Sequence, residues 1–167
     1  MSDSVRLPSI TLQDVRPDDE TVLFELYVSV RSEELGMQAW PDEVRDRVLR
    51  TQFDAQRRGY RDQYPGLDEQ LILCGDTPIG WVIVDRSGSR ELHGLDIALL
   101  AEARQQGVGT RVMRLLQEEA AAGNKPMVIV VERRNSRALA FHGRLGFTAI
   151  GDTEVHCVME WRQDGQA

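Results

Sequence analysis

The chain is poor in cysteine, histidine and lysine, and it has no long apolar run. No uninterrupted apolar run exceeds five residues, as in Met127–Val131, whereas a membrane-spanning helix needs about 20. Residues Met1 to Arg16 mix polar, charged and proline residues and show no secretory signal. The sequence therefore predicts a cytoplasmic protein without a membrane partner.

The two cysteines and three histidines predict neither a disulfide nor a metal site. Cys74 and Cys157 form no CxxC pair, and a chain of 167 residues buries enough surface to fold without a covalent link. His93, His142 and His156 lack the short ligand spacings of a zinc site. We expect two reduced thiols and no bound metal.

The charge is acidic and is unevenly distributed along the chain. The net charge is −7, and residues 1–70 carry 15 acidic and 9 basic side chains. Nucleic-acid binders present a basic face, so no nucleic-acid partner is expected. Lys125 is the one lysine among 20 basic residues. A GC-rich genome explains this bias more simply than a preference of arginine for phosphate does.

The spacing of apolar residues predicts a single α/β domain over residues 1–167, with its core at about 9–161. Apolar residues that recur every three to four positions indicate helices, and short β-branched runs between turn-forming residues indicate strands. The predicted order is β-α-α-β-β-β-α-β-α-β-β. The strands are predicted at 9–15, 71–74, 79–84, 92–100, 127–131, 148–151 and 155–161. The helices are predicted after Asp19, from Pro41, and over 107–122 and 136–145.

The segment Arg104–Thr110, which reads Arg-Gln-Gln-Gly-Val-Gly-Thr, lies between a predicted strand and a predicted helix. Two glycines one residue apart let a ligand approach the backbone, and the free N–H groups at a helix start favour an anion such as pyrophosphate. A tight turn without a ligand gives the same pattern. The segment lacks the Gly-Lys-Ser/Thr of a P-loop and the third glycine of a dinucleotide fingerprint.

A second motif follows the predicted strand that ends at Val131, and it reads Asn135-x-x-Ala138-x-x-Phe141-His142-x-Arg144-x-Gly146-Phe147. Together with Arg104-x-x-Gly107-x-Gly109, it resembles the GNAT superfamily of acyl-CoA-dependent N-acyltransferases. The family motifs are Arg/Gln-x-x-Gly-x-Gly/Ala and Asn-x-x-Ala-x-x-hydrophobic-Tyr-x-Lys/Arg-x-Gly-Phe. Both occur here in family order and spacing. The resemblance implies a mixed central sheet of about seven strands with helices on both faces.

The resemblance also implies where acetyl-CoA, or another short acyl-CoA, binds. The loop before the third helix resembles the family's pyrophosphate cradle, and the strand before it resembles the ladder that pairs with the pantetheine arm. Asn135 matches an asparagine that commonly contacts this arm. The implied cofactor-binding residues are Ile97, Ala98, Leu99, Arg104, Gln105, Gln106, Gly107, Val108, Gly109, Thr110, Arg111 and Asn135.

One residue departs from the family pattern. His142 stands where relatives usually have a tyrosine that protonates the leaving thiolate. Histidine is chemically able to transfer this proton, because its ordinary pKa of about 6.5 lies near neutrality. The alternatives are a histidine that only lines the cleft and one that only packs the helix.

A base is needed because an alkylammonium, with a pKa near 10.4, is protonated at neutral pH. By the resemblance, His93 lies where many relatives carry a catalytic glutamate, and Asp96 follows on the same strand. In a regular strand these side chains point to opposite faces, although a β-bulge changes this. Glu132 is a third candidate. The alternatives are a solvated His93, an Asp96 paired with an arginine, and a Glu132 in a salt bridge.

In this family the first two helices build the acceptor pocket, which here is the acidic half of the chain. Glu33, Trp40, Tyr60 and Tyr64 are the predicted acceptor-binding residues, because acidic and aromatic groups attract a cationic amine. A solvated acidic face is the simpler explanation of the same charges.

The function predicted from the resemblance is the direct transfer of an acyl group, most simply acetyl, from acyl-CoA to an amine. The acceptor is a small molecule or a peptide. The alternatives are a GNAT-fold module that binds acyl-CoA with little or no turnover, and a partner-binding domain with an empty cleft. Dimers are common in the family, so a homodimer is also an open alternative.

Overall fold

The computed structural model describes residues 9–163. The two ends of the predicted domain lie outside these residues, and so does the first half of the segment from Met1 to Arg16, in which no secretory signal is predicted. The predicted element order is confirmed. The strands are β1 (Ile10–Asp14), β2 (Leu67–Cys74), β3 (Thr77–Asp85), β4 (Leu92–Leu99), β5 (Met127–Glu132), β6 (Thr148–Asp152) and β7 (His156–Trp161). The α-helices are α1 (Glu20–Glu34), α2 (Asp42–Gln63), α3 (Val108–Ala122) and α4 (Ser136–Arg144).

The seven strands form one mixed sheet in the order β1-β2-β3-β4-β5-β7-β6. Every neighbouring pair is antiparallel except β4 and β5, which run parallel at the centre of the sheet. The predicted mixed sheet is therefore confirmed. Its one parallel pair joins an N-terminal half of four strands to a C-terminal half of three.

Helices cover both faces of the sheet, as predicted. Strand β3 shows the division, because its residues alternate between the two core layers. Trp81 and Ile83 pack against α1 and α2, whereas Val82 and Val84 pack in the layer that includes α3. On α1 the buried residues Leu23, Leu26, Tyr27 and Val30 follow helical spacing.

Three details differ from the sequence prediction. Strand β2 begins at Leu67, four residues before its predicted start, because its first residues pair with the end of β3. The polar segment from Arg57 to Asp68 predicts a helix end and a loop, whereas helix α2 continues to Gln63. The continuous apolar run of β5 predicts burial on both faces of the sheet, whereas Val130 is 57% exposed.

Within residues 9–163, no helix is long and apolar enough to cross a membrane. The same part of the chain contains no group of three or more His, Cys, Asp or Glu side chains suited to hold a metal ion. Cys74 is half-buried, Cys157 is buried, and neither forms a disulfide.

Candidate active site

A β-bulge in β4 sets which side chains face the site. Ile83 of β3 pairs with Asp96, but the next residue, Val84, pairs with Gly94, so Leu95 is an extra residue in β4. The bulge places His93 and Asp96 on the same face of the sheet, beneath α1 and α2. The alternative of a β-bulge therefore applies to β4, and the alternation of a regular strand does not.

Strands β4 and β5 separate immediately after this bulge begins. They pair over three positions, from Leu92 with Met127 to Gly94 with Ile129. Beyond these pairs the strands diverge, and a cavity of about 430 Å³ lies between them. Residues 94–97 of β4 and 129–132 of β5 are in its wall. The sheet is thus open where the family is expected to hold a thioester.

A second cavity of about 520 Å³ adjoins the first and reaches the segment Arg104–Thr110 at the start of α3, which is called the glycine loop below. Its wall includes Leu99, Gly107, Gly109 and Thr110, and the two cavities share Ile97, Asn135, Ala138 and His142. The shared wall makes them two parts of one cleft. The part at the glycine loop is called the loop cavity here, and the part between the strands is called the splay cavity.

The glycine loop has the geometry of an anion cradle. Gly107, at the N-cap of α3, has φ +79°, and a Cβ there would meet open space. Arg111 donates the first helical hydrogen bond, to the Gly107 carbonyl at 2.9 Å, so the N–H groups before it are directed out of the helix start. Such groups, together with the helix dipole, stabilise a bound anion.

Gly109 lies close to α4. A Cβ at this position would be 3.4 Å from the Phe141 ring and 3.7 Å from Leu99, which are ordinary van der Waals contacts. The first glycine of the motif therefore provides a backbone conformation that favours glycine, whereas the second is packed beside Phe141 and Leu99.

Arg104 ties the loop to two other elements. Its Nε donates to the Leu99 carbonyl at 2.8 Å, and its guanidinium lies 2.9 Å from a carboxylate oxygen of Glu33 on α1. Glu33 was predicted to face the acceptor. Instead it contacts the cofactor loop, and the Leu99 carbonyl predicted for the pantetheine ladder is already bonded.

Helix α4 places Asn135 and His142 in the shared wall of the two cavities. Asn135 caps the helix, and its side chain accepts a hydrogen bond from the Ala138 N–H at 3.0 Å. His142 is 7% exposed, and its ring contacts those of Phe141 and Phe147. Its Nδ1 atom is buried, with no hydrogen-bond partner among the described residues.

Burial lowers the pKa of His142 from 6.5 to about 4. The imidazole is therefore neutral at physiological pH, and only about one molecule in a thousand carries the extra proton at pH 7. A neutral ring has one N–H group to donate and one nitrogen to accept. This charge state suits a hydrogen bond to a sulfur or carbonyl atom better than a full proton transfer.

The α1 side of the splay cavity contains a partly buried ion pair. Arg31 lies 2.9 Å from Asp96 and 2.6 Å from Glu34, and the same Asp96 oxygen accepts a 3.0 Å hydrogen bond from Trp81. Burial alone would lower the pKa of Arg31, but Asp96 and Glu34 raise it, so the guanidinium stays charged. Asp96 is thereby anchored immediately after the bulge.

Tyr60 lies on the α2 side of the same cavity. Its hydroxyl is 3.5 Å from the carbonyl of the bulged Leu95. Burial, together with the nearby carboxylate of Asp96, raises the pKa of Tyr60, so this hydroxyl is protonated at neutral pH. It is a neutral hydrogen-bonding group beside the opening between the strands.

Seven of the predicted residues lie outside the walls of both cavities, and Glu33, described above, is one of them. The His93 ring packs against Tyr64 with a centroid distance of 6.2 Å, and its Nε2 lies 2.9 Å from Glu91. Trp40 is 45% exposed. None of these side chains is in the wall of either cavity, and neither are Gln106, Val108 and Arg111.

Sequence reasoning missed Arg31, Gln56 and Val130, which are all in the wall of the splay cavity. Arg31 had one detectable signal, the i,i+3 spacing to Glu34 on α1. Its other partner, Asp96, is 65 residues away in the sequence, and no local pattern reveals such a pair.

These features define a class of protein, a mixed-sheet α/β fold whose one parallel strand pair opens into a cleft that ends at a helix N-terminus. Comparison with known families assigns it further. The model of the acetyltransferase (GNAT) family matches residues 23–147, which is well over half of the chain. The chain belongs to the GNAT acetyltransferase family, and it is an enzyme of acyl transfer.

Solved structures with the same fold span nearly the whole chain. The PaiA N-acetyltransferase of Thermoplasma acidophilum, in complex with coenzyme A, has a TM-score of 0.71 and 14% identity over 93% of this chain and 99% of its own. An acetyltransferase of Thermus thermophilus has a TM-score of 0.70 and 18% identity over 94% of this chain and 99% of its own. Naa50 of Arabidopsis thaliana, in complex with the bisubstrate analogue CoA-Ac-MVNAL, has a TM-score of 0.60 and 14% identity over 93% of this chain and 99% of its own. The search of curated proteins finds no match.

Proposed function

We propose that this enzyme transfers an acetyl group from acetyl-CoA directly to a primary amine. The observation that carries the proposal is the continuous cleft from the glycine loop to the gap between β4 and β5. One end of this cleft suits a diphosphate and the other end opens to the acceptor side of the sheet. A long molecule with an anionic end and a reactive end fits this shape.

The residues of the loop cavity fit the cofactor. The N–H groups at the start of α3 are suited to hold the diphosphate, and Gly107 leaves open space above the backbone. The edge of β4 that faces away from β3 after Gly94 offers the backbone groups of Ile97 to the pantetheine arm, whereas Ala98 pairs with Trp81 of β3. The Leu99 carbonyl becomes available only if Arg104 moves away from it. The coenzyme A complex of the PaiA enzyme has the same fold, which supports this assignment.

Bound acetyl-CoA would supply a thioester whose carbonyl carbon the amine attacks. The backbone N–H groups of β4 beside the bulge are positioned to stabilise the oxyanion, which is usually the largest contribution in acyl transfer. Neutral His142 lies in the wall that both cavities share, where its N–H group is able to contact the sulfur or carbonyl oxygen. No covalent enzyme intermediate is needed, so neither cysteine has a nucleophilic role.

The acceptor enters from the side of α1 and α2, through the splay cavity. Tyr60 is the predicted acceptor-binding residue that lines this cavity, Asp96 lies in the same wall, and the exposed Val130 adds an apolar contact. Glu33, Trp40 and Tyr64 lie outside this cavity. The bisubstrate complex of Naa50 shows that this fold accommodates a peptide-linked acceptor, so peptide N-termini belong among the amines to be tested.

The test is the release of CoA thiol from acetyl-CoA with a defined panel of amines. The panel contains phenethylamine, spermidine, kanamycin and a short peptide with a free N-terminus, and mass spectrometry identifies the product. Thiol release with an N-acetylated product supports the proposal, and propionyl-CoA measured in parallel reports the acyl preference. Thiol release no faster than the background without enzyme, across the whole panel, contradicts it. At 100 times its dissociation constant CoA should add about 2.7 kcal/mol of stability.

A further inference from the structure

The acceptor reaches a GNAT active site as an ammonium ion, which has no lone pair for attack. An alkylammonium with a pKa near 10.4 is deprotonated in roughly one molecule per thousand or fewer at neutral pH. A nearby group must therefore accept a proton. The sequence predicts three candidates for this role, namely His93, Asp96 and Glu132.

The structure separates these three candidates. His93 lies outside the wall of both cavities, packed against Tyr64 and paired with Glu91. Asp96 is in the wall, but one of its oxygens accepts hydrogen bonds from both Arg31 and Trp81. This carboxylate is already paired with a partly buried cation, and accepting a proton would break that ion pair.

Glu132 is the last residue of β5, on the other side of the splay cavity. The alternation of β5 places Met127, Ile129 and Val131 in the core with α3, so Val130 and Glu132 face the acceptor side. The Glu132 carbonyl accepts the Asn135 N–H at 2.9 Å, which fixes the turn that follows. Among the described residues its carboxylate has no ion-pair partner, since the adjacent Arg133 pairs with Asp152.

We propose that Glu132 is the proton acceptor for the amine and that Asp96 is a positioning residue that holds the β4 bulge through Arg31. This inference rests on the proposed amine acetylation. The Glu132 carboxylate takes one proton from the ammonium, and the freed nitrogen lone pair forms the bond to the thioester carbon. The carbon–sulfur bond then breaks, the thiolate leaves, and it takes the second nitrogen proton. Glu132 returns its proton to water.

The groups around Glu132 are compatible with this role. Across the cavity, Arg31 lies between Asp96 and Glu34, and these three groups together carry one net negative charge, so they do not repel an ammonium. Tyr60 is neutral, because its pKa is raised by burial. On the neighbouring strand β7, His156 is the register partner of Glu132, and it is exposed to solvent. Among the acids named here, Glu132 is the one without an ion-pair partner in the described part of the chain.

The test is Glu132→Gln, which preserves shape and polarity but accepts no proton. With the panel amine that reacts fastest, kcat/KM at pH 7 should fall by about 10²- to 10⁴-fold. The deficit should shrink as the pH rises toward the pKa of the amine, because solvent then supplies the free base. The KM for acetyl-CoA should not change. Glu118→Gln, an exposed glutamate on α3 outside both cavities, is the matched control and should behave like the wild type.

Asp96→Asn tests the second half of the proposal. It should lower the melting temperature, because it removes the partner of a buried arginine, and any loss of rate should be the same factor at every pH. If Glu132→Gln keeps the wild-type rate, or loses rate equally at all pH values, Glu132 is not the proton acceptor. If Asp96→Asn instead shows the pH-dependent deficit, Asp96 holds that role. A wild-type enzyme that acetylates none of the panel overturns the proposed function itself.

Discussion

Glu33 and Arg104 form an ion pair of 2.9 Å that joins helix α1 to the loop before α3. The same arginine donates to the last carbonyl of β4. The side chain of Arg104 therefore links helix α1 to the end of β4 and the loop before α3. Glu33, which the sequence predicts to bind the acceptor, contacts this loop instead.

Glu33→Gln should weaken the binding of coenzyme A by about two- to fivefold, because a half-exposed ion pair contributes at most about 1 kcal/mol. The KM for the amine should not change. Isothermal titration calorimetry with CoA measures the first quantity. Glu25→Gln, an exposed glutamate on the same helix with no ion pair in the described chain, is the control. Loss of amine affinity without loss of CoA affinity would return Glu33 to the acceptor site.

Gly107→Ala should destabilise the protein by about 1–2 kcal/mol, because an alanine is strained at the positive φ of this position. The added Cβ meets open space, so no steric clash adds to this strain. The substitution should also weaken CoA binding beyond this loss, since the same backbone forms the anion cradle. Gly75→Ala provides a matched control, with φ +62° in the turn between β2 and β3 and equally open space. An equal effect of both variants on CoA affinity would argue against the cradle.

The stability of the protein should depend on pH through His142. The pKa of this histidine is 6.5 in the unfolded chain and is lowered by burial to about 4 in the folded one. Between these values only the unfolded chain binds the proton, so the free energy of unfolding should fall as the pH drops, by on the order of 3 kcal/mol in total. Urea denaturation of His142→Phe at pH 7 and pH 5 should show a smaller pH effect. His156→Gln, at an exposed histidine, should keep the wild-type slope.

The same His142→Phe variant tests the catalytic role of the imidazole. Phenylalanine retains the packing against Phe141 and Phe147 but has no N–H group, so kcat should fall by about tenfold or more while the dissociation constant for CoA stays the same. Stopped-flow or steady-state thiol release gives the first value and calorimetry the second. An unchanged kcat would remove His142 from catalysis and leave it as a packing residue.

The order of the elements was predictable because local patterns determine it. The helical spacing on α1 and the apolar run of β5 are visible within a few residues, and the helix start after Gly107 is marked by the glycine itself. The start of β2 was missed because its first residues, Leu67-Asp68-Glu69, are mostly polar. They form a strand because the end of β3 lies beside them.

The site was predictable only where one segment builds it. The glycine loop and the α4 motif are each a contiguous segment that a local pattern reveals, and both lie in the wall of one cavity. The arrangement of β4 depends on a single extra residue, Leu95, and no local signal distinguishes a bulge from a regular strand. The pairs Arg31–Asp96 and Arg104–Glu33 join distant parts of the chain, so only the folded structure reveals which acids are free.

Strands β4 and β5 pair over only three positions in the described chain, and this short pairing joins the two halves of the sheet. A ligand that lies in the gap and hydrogen-bonds to the edge of β4 would extend this short strand pairing. We expect the occupied enzyme to be stiffer than the empty one, with slower amide hydrogen exchange on both sides of the gap. Part of the stability of the sheet would then come from the ligand bound between its two halves.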